Sequence, residues 1–332
     1  MKRLLILLLT LMTLFLHACM TDSATQTTET EPTTTSSALS VSSTTQTTTS
    51  TTTTSSTTVS TTTNLCKATN YEYDLNQLAY ELVWFDEFNS ATATQPSIIK
   101  WRYQTGGGGW GNNELQYYTD PSLNSNHTNA RVGDGHLYIT AKRETIESNE
   151  FTSARMNSNV NWLYGKIEVR ALLPSGAGTW PAIWMMPKDS AYGNWPNSGE
   201  IDIMEHVGTS LNRVHFSIHS ERYNHKIGTQ KTFVTTIQNV SSEFHLYQVE
   251  WLPDQIRFSV DNVLYYTYRP TDYVACPTEK EWPFDRPFHL ILNVAMGGWG
   301  GTPSASFTEA SMIIDYVRVY QSSIITNLTK TN

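Results

Sequence analysis

Residues 199–206 of this chain read Gly-Glu-Ile-Asp-Ile-Met-Glu-His, placing three carboxylates, Glu200, Asp202 and Glu205, within six positions. The alternation of acid and Ile is that of a strand, whose successive side chains point to opposite faces. Glu200 and Asp202 then share one face, while Ile201 and Ile203 point the other way, toward a core. Strict alternation would send Glu205 to the Ile face, where an unpaired buried carboxylate is very costly. One inserted residue restores it: with Met204 in a β-bulge, Glu205 rejoins Glu200 and Asp202. Three acids on one open face repel each other. That crowding does little for stability, but it separates the proton affinities of neighbouring carboxyls, as acid/base catalysis requires. Taken alone, the segment reads equally well as an edge strand with acids on its wet side.

Other strands must position this one. Apolar or alternating runs occur at 81–88, 136–142, 165–173, 182–186, 200–206, 213–219, 245–251, 255–260, 263–268, 288–295 and 312–320, with turn signals between them. Asp261-Asn262 has the form of a two-residue hairpin turn. No long 3.6-residue period appears, and strands without βαβ spacing indicate a sandwich or barrel. The expectation is an all-β sandwich of two curved antiparallel sheets, whose concave face makes a cleft for a chain-like ligand.

The ten Trp all lie between Trp84 and Trp299, many beside Gly or Pro in loop-like sequence. Trp84, Trp184 and Trp251 sit in apolar strands and suit a core. In polar, Gly-rich loops an indole more often offers a flat face, and in a secreted protein sugar rings are its natural ligand. The net charge is −8, 16% of the residues are charged and no basic cluster exists, which argues against nucleic acid as a partner.

The 332-residue chain opens with Lys2-Arg3, an apolar run from Leu4 to Leu16, and Ala18. This is a secretory signal pattern over 1–19, too short to span a membrane. Leu16-His17-Ala18-Cys19 also has the form of a bacterial lipoprotein box with Cys19 as the lipidated residue. His17 is unusual there, so plain cleavage and full secretion is the alternative. Residues 20–65 are a linker: 32 of the 43 positions from 21 to 63 are Ser or Thr. Such a stretch buries too little apolar surface to offset its ordering entropy and is expected to be a disordered tether. With Cys19 lipidated, Cys66 and Cys276 remain as a pair in an oxidising compartment, bridged or free as geometry decides. A catalytic domain over 66–322 and a tail over 323–332 complete the division, with a monomer expected.

Seven segments occur together in one order: Leu82-Val83-Trp84-Phe85-Asp86-Glu87-Phe88, Trp110 to Thr119 (WGNNELQYYT), Thr152-Ser153-Ala154-Arg155, Tyr164 to Arg170 (YGKIEVR), Gly178 to Met185 (GTWPAIWM), the three-acid motif, and Ile314 to Tyr320 (IDYVRVY). In this the chain resembles glycoside hydrolase family 16 in its bacterial laminarinase-type branch, from about residue 81 to 320. The resemblance implies a concanavalin-like β-jelly-roll and retaining endo-hydrolysis of β-1,3-glucan, with no cofactor in catalysis. Glu200 would be the nucleophile, Glu205 the general acid and then base, and Asp202 the residue that tunes them. Asn112 and Arg155 would bind sugar hydroxyls; Trp180, Trp184 and Trp195 would floor the cleft; His219 would bind near the nucleophile; Trp299 would cap one end. A structural calcium held by Glu87, the Gly135 carbonyl and Asp315 is also implied. The same machinery on mixed-linkage glucan, agar or carrageenan is an alternative, although the Met204 insertion disfavours the lichenase type. A non-catalytic β-glucan-binding lectin is an alternative of another class, disfavoured because all three acids are present.

Overall fold

The structure, a computed structural model, describes residues 66–122 and 127–328. The expected signal segment 1–19 with Cys19, and the linker 20–65, lie outside the described residues. The described residues form two sheets with opposing faces. One sheet has seven strands, in spatial order Trp101–Tyr103, Arg155–Ser158, Phe288–Met296, Thr179–Pro187, Glu200–His206, Arg213–His219 and Lys231–Thr236. The other has ten, with Glu309–Ser322 near its centre between His136–Lys142 and Gly165–Leu172.

Alternation explains why these strands stack face to face. Ile183, Met185, Ile201, Ile203, Phe216, Ile218, Leu290 and Leu292 of the seven-stranded sheet are all fully buried. They belong to one core with Ile139, Ile167, Val169, Val249, Phe258, Ile314 and Val319 of the ten-stranded sheet. Each such side chain contributes ~1.5–3 kcal/mol relative to exposure. Trp251 is buried as expected, donating its Nε1 proton to the Phe284 carbonyl at 3.0 Å. Trp84 packs edge-on against Trp101 and Trp162 at 5.5 and 5.4 Å. Asp261 and Asn262 have φ of 51° and 65°, the left-handed pair that a two-residue hairpin requires.

Three expectations are refined. The sheets are antiparallel except where Gln116–Tyr118 pairs parallel to Phe151–Ser153. The connection between those two strands is a long crossover containing the Ala130–Gly133 and His136–Lys142 hairpin, as a parallel pair requires. Residues 323–328 are not tail: Ser323–Leu328 is a short helix, with Ile325 buried beside Tyr80, Tyr164 and Leu252. Cys66 and Cys276 are bridged, with Cα atoms 4.7 Å apart across 210 residues of sequence.

Candidate active site

The acids lie on the Glu200–His206 strand, third from one edge of the seven-stranded sheet. Register on both flanks shows the bulge. Asp202 pairs with Ser217 and Glu205 with His215, leaving Ile203 and Met204 opposite the single residue Phe216. On the other flank Asp202 pairs with Trp184, Met204 with Ile183 and Glu205 with Ala182. Ile203 and Met204 are both fully buried, and Glu205 returns to the face of Glu200 and Asp202. The insertion thus absorbs one step of the pleat.

The three carboxyls are held in a tight polar cluster. Trp195 donates its Nε1 proton to Glu200 Oε2 at 2.9 Å, and Trp180 donates its own to Glu205 Oε1 at 3.0 Å. His219 Nε2 lies 3.3 Å from Asp202 Oδ2 and 3.6 Å from Glu200 Oε1. Burial pushes Glu200 up to about 8; the Asp202 charge adds to this, while His219 and the Trp195 donor oppose it. Burial, then Asp202, likewise raises Glu205 to about 8, against His219 and the Trp180 donor. Asp202 is raised to about 8 by burial, moderated by its hydrogen bond with Glu200. Near neutral pH the cluster retains protons that ordinary carboxyls would have lost, and these belong to the set rather than to one residue. His215, opposite Glu205, is held down at about 4 by burial and then by Arg213, so it faces the acids as a neutral ring.

These groups open into a cleft of about 850 Å³ that crosses the strands. Asn112, Arg155, Trp180, Trp184, Trp195, His219 and Trp299 all line it with the three acids. One row of paired residues runs Arg155, Asn293, Ala182, Glu205, His215 across five strands of the sheet. Beside the acids, Trp180 meets Trp299 edge-to-face at 5.6 Å, and Trp299 meets His215 at 4.8 Å. At one end the Arg155 guanidinium lies over Trp184 and Trp110, at 4.6 and 4.9 Å. At the other, Lys226 and His225 approach Trp195 at 4.8 and 4.9 Å. An open groove with indole walls, hydroxyl-binding polar groups and two carboxyls with separate hydrogen-bond donors is built for cleaving a chain of sugars.

The sequence profile of glycosyl hydrolases family 16 matches residues 119–318. The chain belongs to glycosyl hydrolase family 16. It is 47% identical over 251 residues to a β-glucanase of Rhodothermus marinus, covering 73% of this chain and 85% of that protein. It is 38% identical over 259 residues to a glucan endo-1,3-beta-glucosidase of Cryptopygus antarcticus, covering 72% of this chain and 92% of that one. The X-ray structure of the laminarinase from Rhodothermus marinus matches with a TM-score of 0.68 at 46% identity, over 74% of this chain and 99% of that one. The jelly-roll fold and the glycoside hydrolase class follow from this membership.

Within the family 16 fold, one open reading is decided and one expectation meets a different geometry. Trp184, which its apolar strand suited to the core and the resemblance to the cleft floor, lines the cleft and donates to Asn293 Oδ1 at 2.7 Å. The calcium donors do not fit a cation as arranged. Both Glu87 oxygens are taken by the Arg318 guanidinium, at 2.7 and 2.8 Å. Asp315 Oδ2 is taken by Arg170 at 2.6 Å, beside His136, the residue after Gly135. A hard divalent cation needs bare oxygens, and here arginines hold both Glu87 oxygens and one Asp315 oxygen.

Sequence reasoning did not find Glu114, Asn293, Ser217, Thr232, His225 or Lys226, all of which line the cleft. Asn293 carried a signal, as the only amide in the apolar run Phe288–Met296. Ser217 shares the face of His215 and His219 by period two. Lys226 and His225 carried none, because a short turn brings them in from outside the strand pattern.

Proposed function

We propose that this protein is a retaining endo-β-1,3-glucanase of laminarin-type polymers, exported and held at the cell surface. The observation that carries the reading is the bulged acid strand at the floor of an open, indole-walled cleft. In the first step Glu200 attacks the anomeric carbon. The glycosidic C–O bond breaks, and the Glu205 proton passes to the leaving oxygen. In the second, ionised Glu205 takes a proton from water, the water oxygen attacks the same carbon, and Glu200 leaves as carboxylate. Two inversions give net retention. Asp202 shares its hydrogen bond with Glu200 and raises the proton affinity of Glu205, keeping the acid protonated for the first step. The Trp195 and Trp180 N–H groups each fix one oxygen of Glu200 and Glu205 respectively.

Endo action suits a groove that crosses the sheet, since a polymer can lie through it. Export and lipidation at Cys19 rest on the signal pattern and agree with the bridge between Cys66 and Cys276, which an oxidising compartment sustains. A lipid anchor at Cys19 would link the protein to a membrane. The decisive experiment is reducing-sugar release from laminarin, lichenan, agar and carrageenan, with product sizing and early-time NMR of the new anomer. The expected result is internal cleavage of laminarin with the β-anomer appearing first. Cleavage of agar alone would overturn the substrate assignment, a first-formed α-anomer the retaining mechanism, and binding without cleavage would favour the lectin. Retention of Cys19→Ala in the membrane fraction would rule out the anchor.

A further inference from the structure

Glu114 is a charge buried at 7% exposure that the hydrolytic steps do not use. Three donors converge on it. Its Oε2 accepts from Gln116 Nε2 at 2.7 Å and from the Tyr118 hydroxyl at 3.1 Å, and its Oε1 accepts from Asn112 Nδ2 at 3.3 Å. The Tyr118 oxygen in turn accepts from Asn293 Nδ2 at 3.1 Å, and Asn293 Oδ1 accepts from Trp184 Nε1 at 2.7 Å. An unbroken path therefore joins the Asn112 amide to the Trp184 indole through Glu114. Arg155 lies over the same indole, and burial, which lowers its proton affinity, is opposed by the neighbouring Tyr118 and Glu114.

The loop that carries Asn112 needs such an anchor. Trp110 and Asn113 both occupy the left-handed region, with φ of 48° and 57°, which costs a non-glycine residue free energy that the surroundings must supply. Gly298 packs against this loop so closely that a Cβ there would stand 2.6 Å from the Asn112 carbonyl oxygen.

We propose that Glu114 is a positioning residue that sets the sugar-binding geometry at this end of the cleft, holding the Asn112 amide, the Arg155 guanidinium and the Trp184 indole in one arrangement. This rests on the polysaccharide-hydrolase reading of the cleft. Only a carboxylate accepts from all three donors; an amide would turn a donor toward Asn112 or toward Gln116 and Tyr118. Glu114 bonds Asn112, Gln116 and Tyr118 and none of the three acids, and its path ends at the Trp184 indole, on the strand beside Asp202, so Glu114 acts on substrate binding and not on bond cleavage.

The test is kcat and KM of the full chain and its Glu114→Gln variant on oligosaccharides of increasing length. These are cut from whichever polymer the wild type hydrolyses. Failure of the wild type on laminarin would sink the β-1,3-glucan assignment alone, and the Glu114 comparison would still be read on the polymer it does cleave. Glu114→Gln is expected to raise KM about tenfold, the scale of one lost hydrogen bond, with kcat changed less than threefold. The gain in kcat/KM with chain length should shrink, because the misaligned end no longer rewards an added ring. Glu114→Asp keeps the charge and should recover part of that gain. If Glu114→Gln does not fold, Tyr118→Phe cuts the same path while keeping the carboxylate and should show the same split. A uniform loss of kcat at every length, or a lowered melting temperature with KM unchanged, would overturn the proposal.

Discussion

Three carboxyls within one hydrogen-bonded cluster cannot all ionise at neutral pH, and this controls the chemistry at the scale of single residues. Asp202 raises both of its catalytic neighbours, after burial has done the larger part. Asp202→Asn removes that charge, so the proton affinities of Glu200 and Glu205 both fall. The whole kcat/KM–pH profile should shift to lower pH, with activity lost earlier on the alkaline side as Glu205 gives up its proton. A profile that keeps its limbs in place would show that Asp202 does not tune the pair. Stability carries the same signature. Glu205 holds its proton up to about 8 in the fold, against 4.5 for an ordinary Glu, so the folded state binds more protons between those values and stability falls as pH rises through them. Glu205→Gln removes its share of that slope. Its melting temperature should gain on the wild type from pH 5 to pH 8, at about 2–4 °C per kcal/mol for a domain of this size. Calorimetry at the two pH values reads it, and a constant difference would contradict the raised affinity.

At the scale of elements, the bulge is the device that makes the site. Deleting Met204 removes the bulge: by the two-residue period Glu205 stays on the face of Glu200 and Asp202, but it moves one residue closer to Asp202, out of its register opposite Ala182 and away from the Trp180 donor. A large loss of turnover is expected, because the acid no longer stands where the bulge places it, together with a stability loss of about 2–5 kcal/mol for the Met204 side chain removed from the core. Activity assay and denaturant titration check this; unchanged turnover would show that the bulge is not needed to place the acid. The bulge was legible in the sequence, since Glu205 broke a period that Glu200, Ile201, Asp202 and Ile203 obeyed. So were the long strands such as Arg213–His219 and His245–Trp251, whose patterns are half apolar. Trp101–Tyr103, Gln116–Tyr118 and Phe151–Ser153 were not, because three residues are too short for alternation to register. Lys231–Thr236 escaped for another reason: it is an edge strand with no fully buried residue.

At the scale of the whole molecule, the Cys66–Cys276 bridge ties the start of the domain to the loop after the Val263–Tyr268 strand. Lys67, next to the bridge, pairs with Asp285 at 2.8 Å and donates to the Tyr192 hydroxyl at 2.6 Å, in the segment that carries Trp195 to Glu200. Cys276→Ser reopens a 210-residue loop, which in the chain-entropy picture costs on the order of 5 kcal/mol. A marked drop in melting temperature under non-reducing conditions is expected, and an unchanged value would show that the bridge is dispensable.

The sequence by itself determined the longer strands with a buried face, the three acids and the need for one extra residue among them, because period and its interruption are local properties of the chain. It also carried the family resemblance, which depends on short motifs in order. Only the tertiary structure decided that the Trp195 and Trp180 N–H groups fix Glu200 and Glu205, that Trp184 faces the cleft, that arginines occupy Glu87 and Asp315, and that Glu114 joins Asn112 to Trp184. Each of these pairs residues from separate strands or loops. Hydrogen bonds and ion pairs act over about 3 Å, and no pattern along the chain encodes which distant groups will be brought that close.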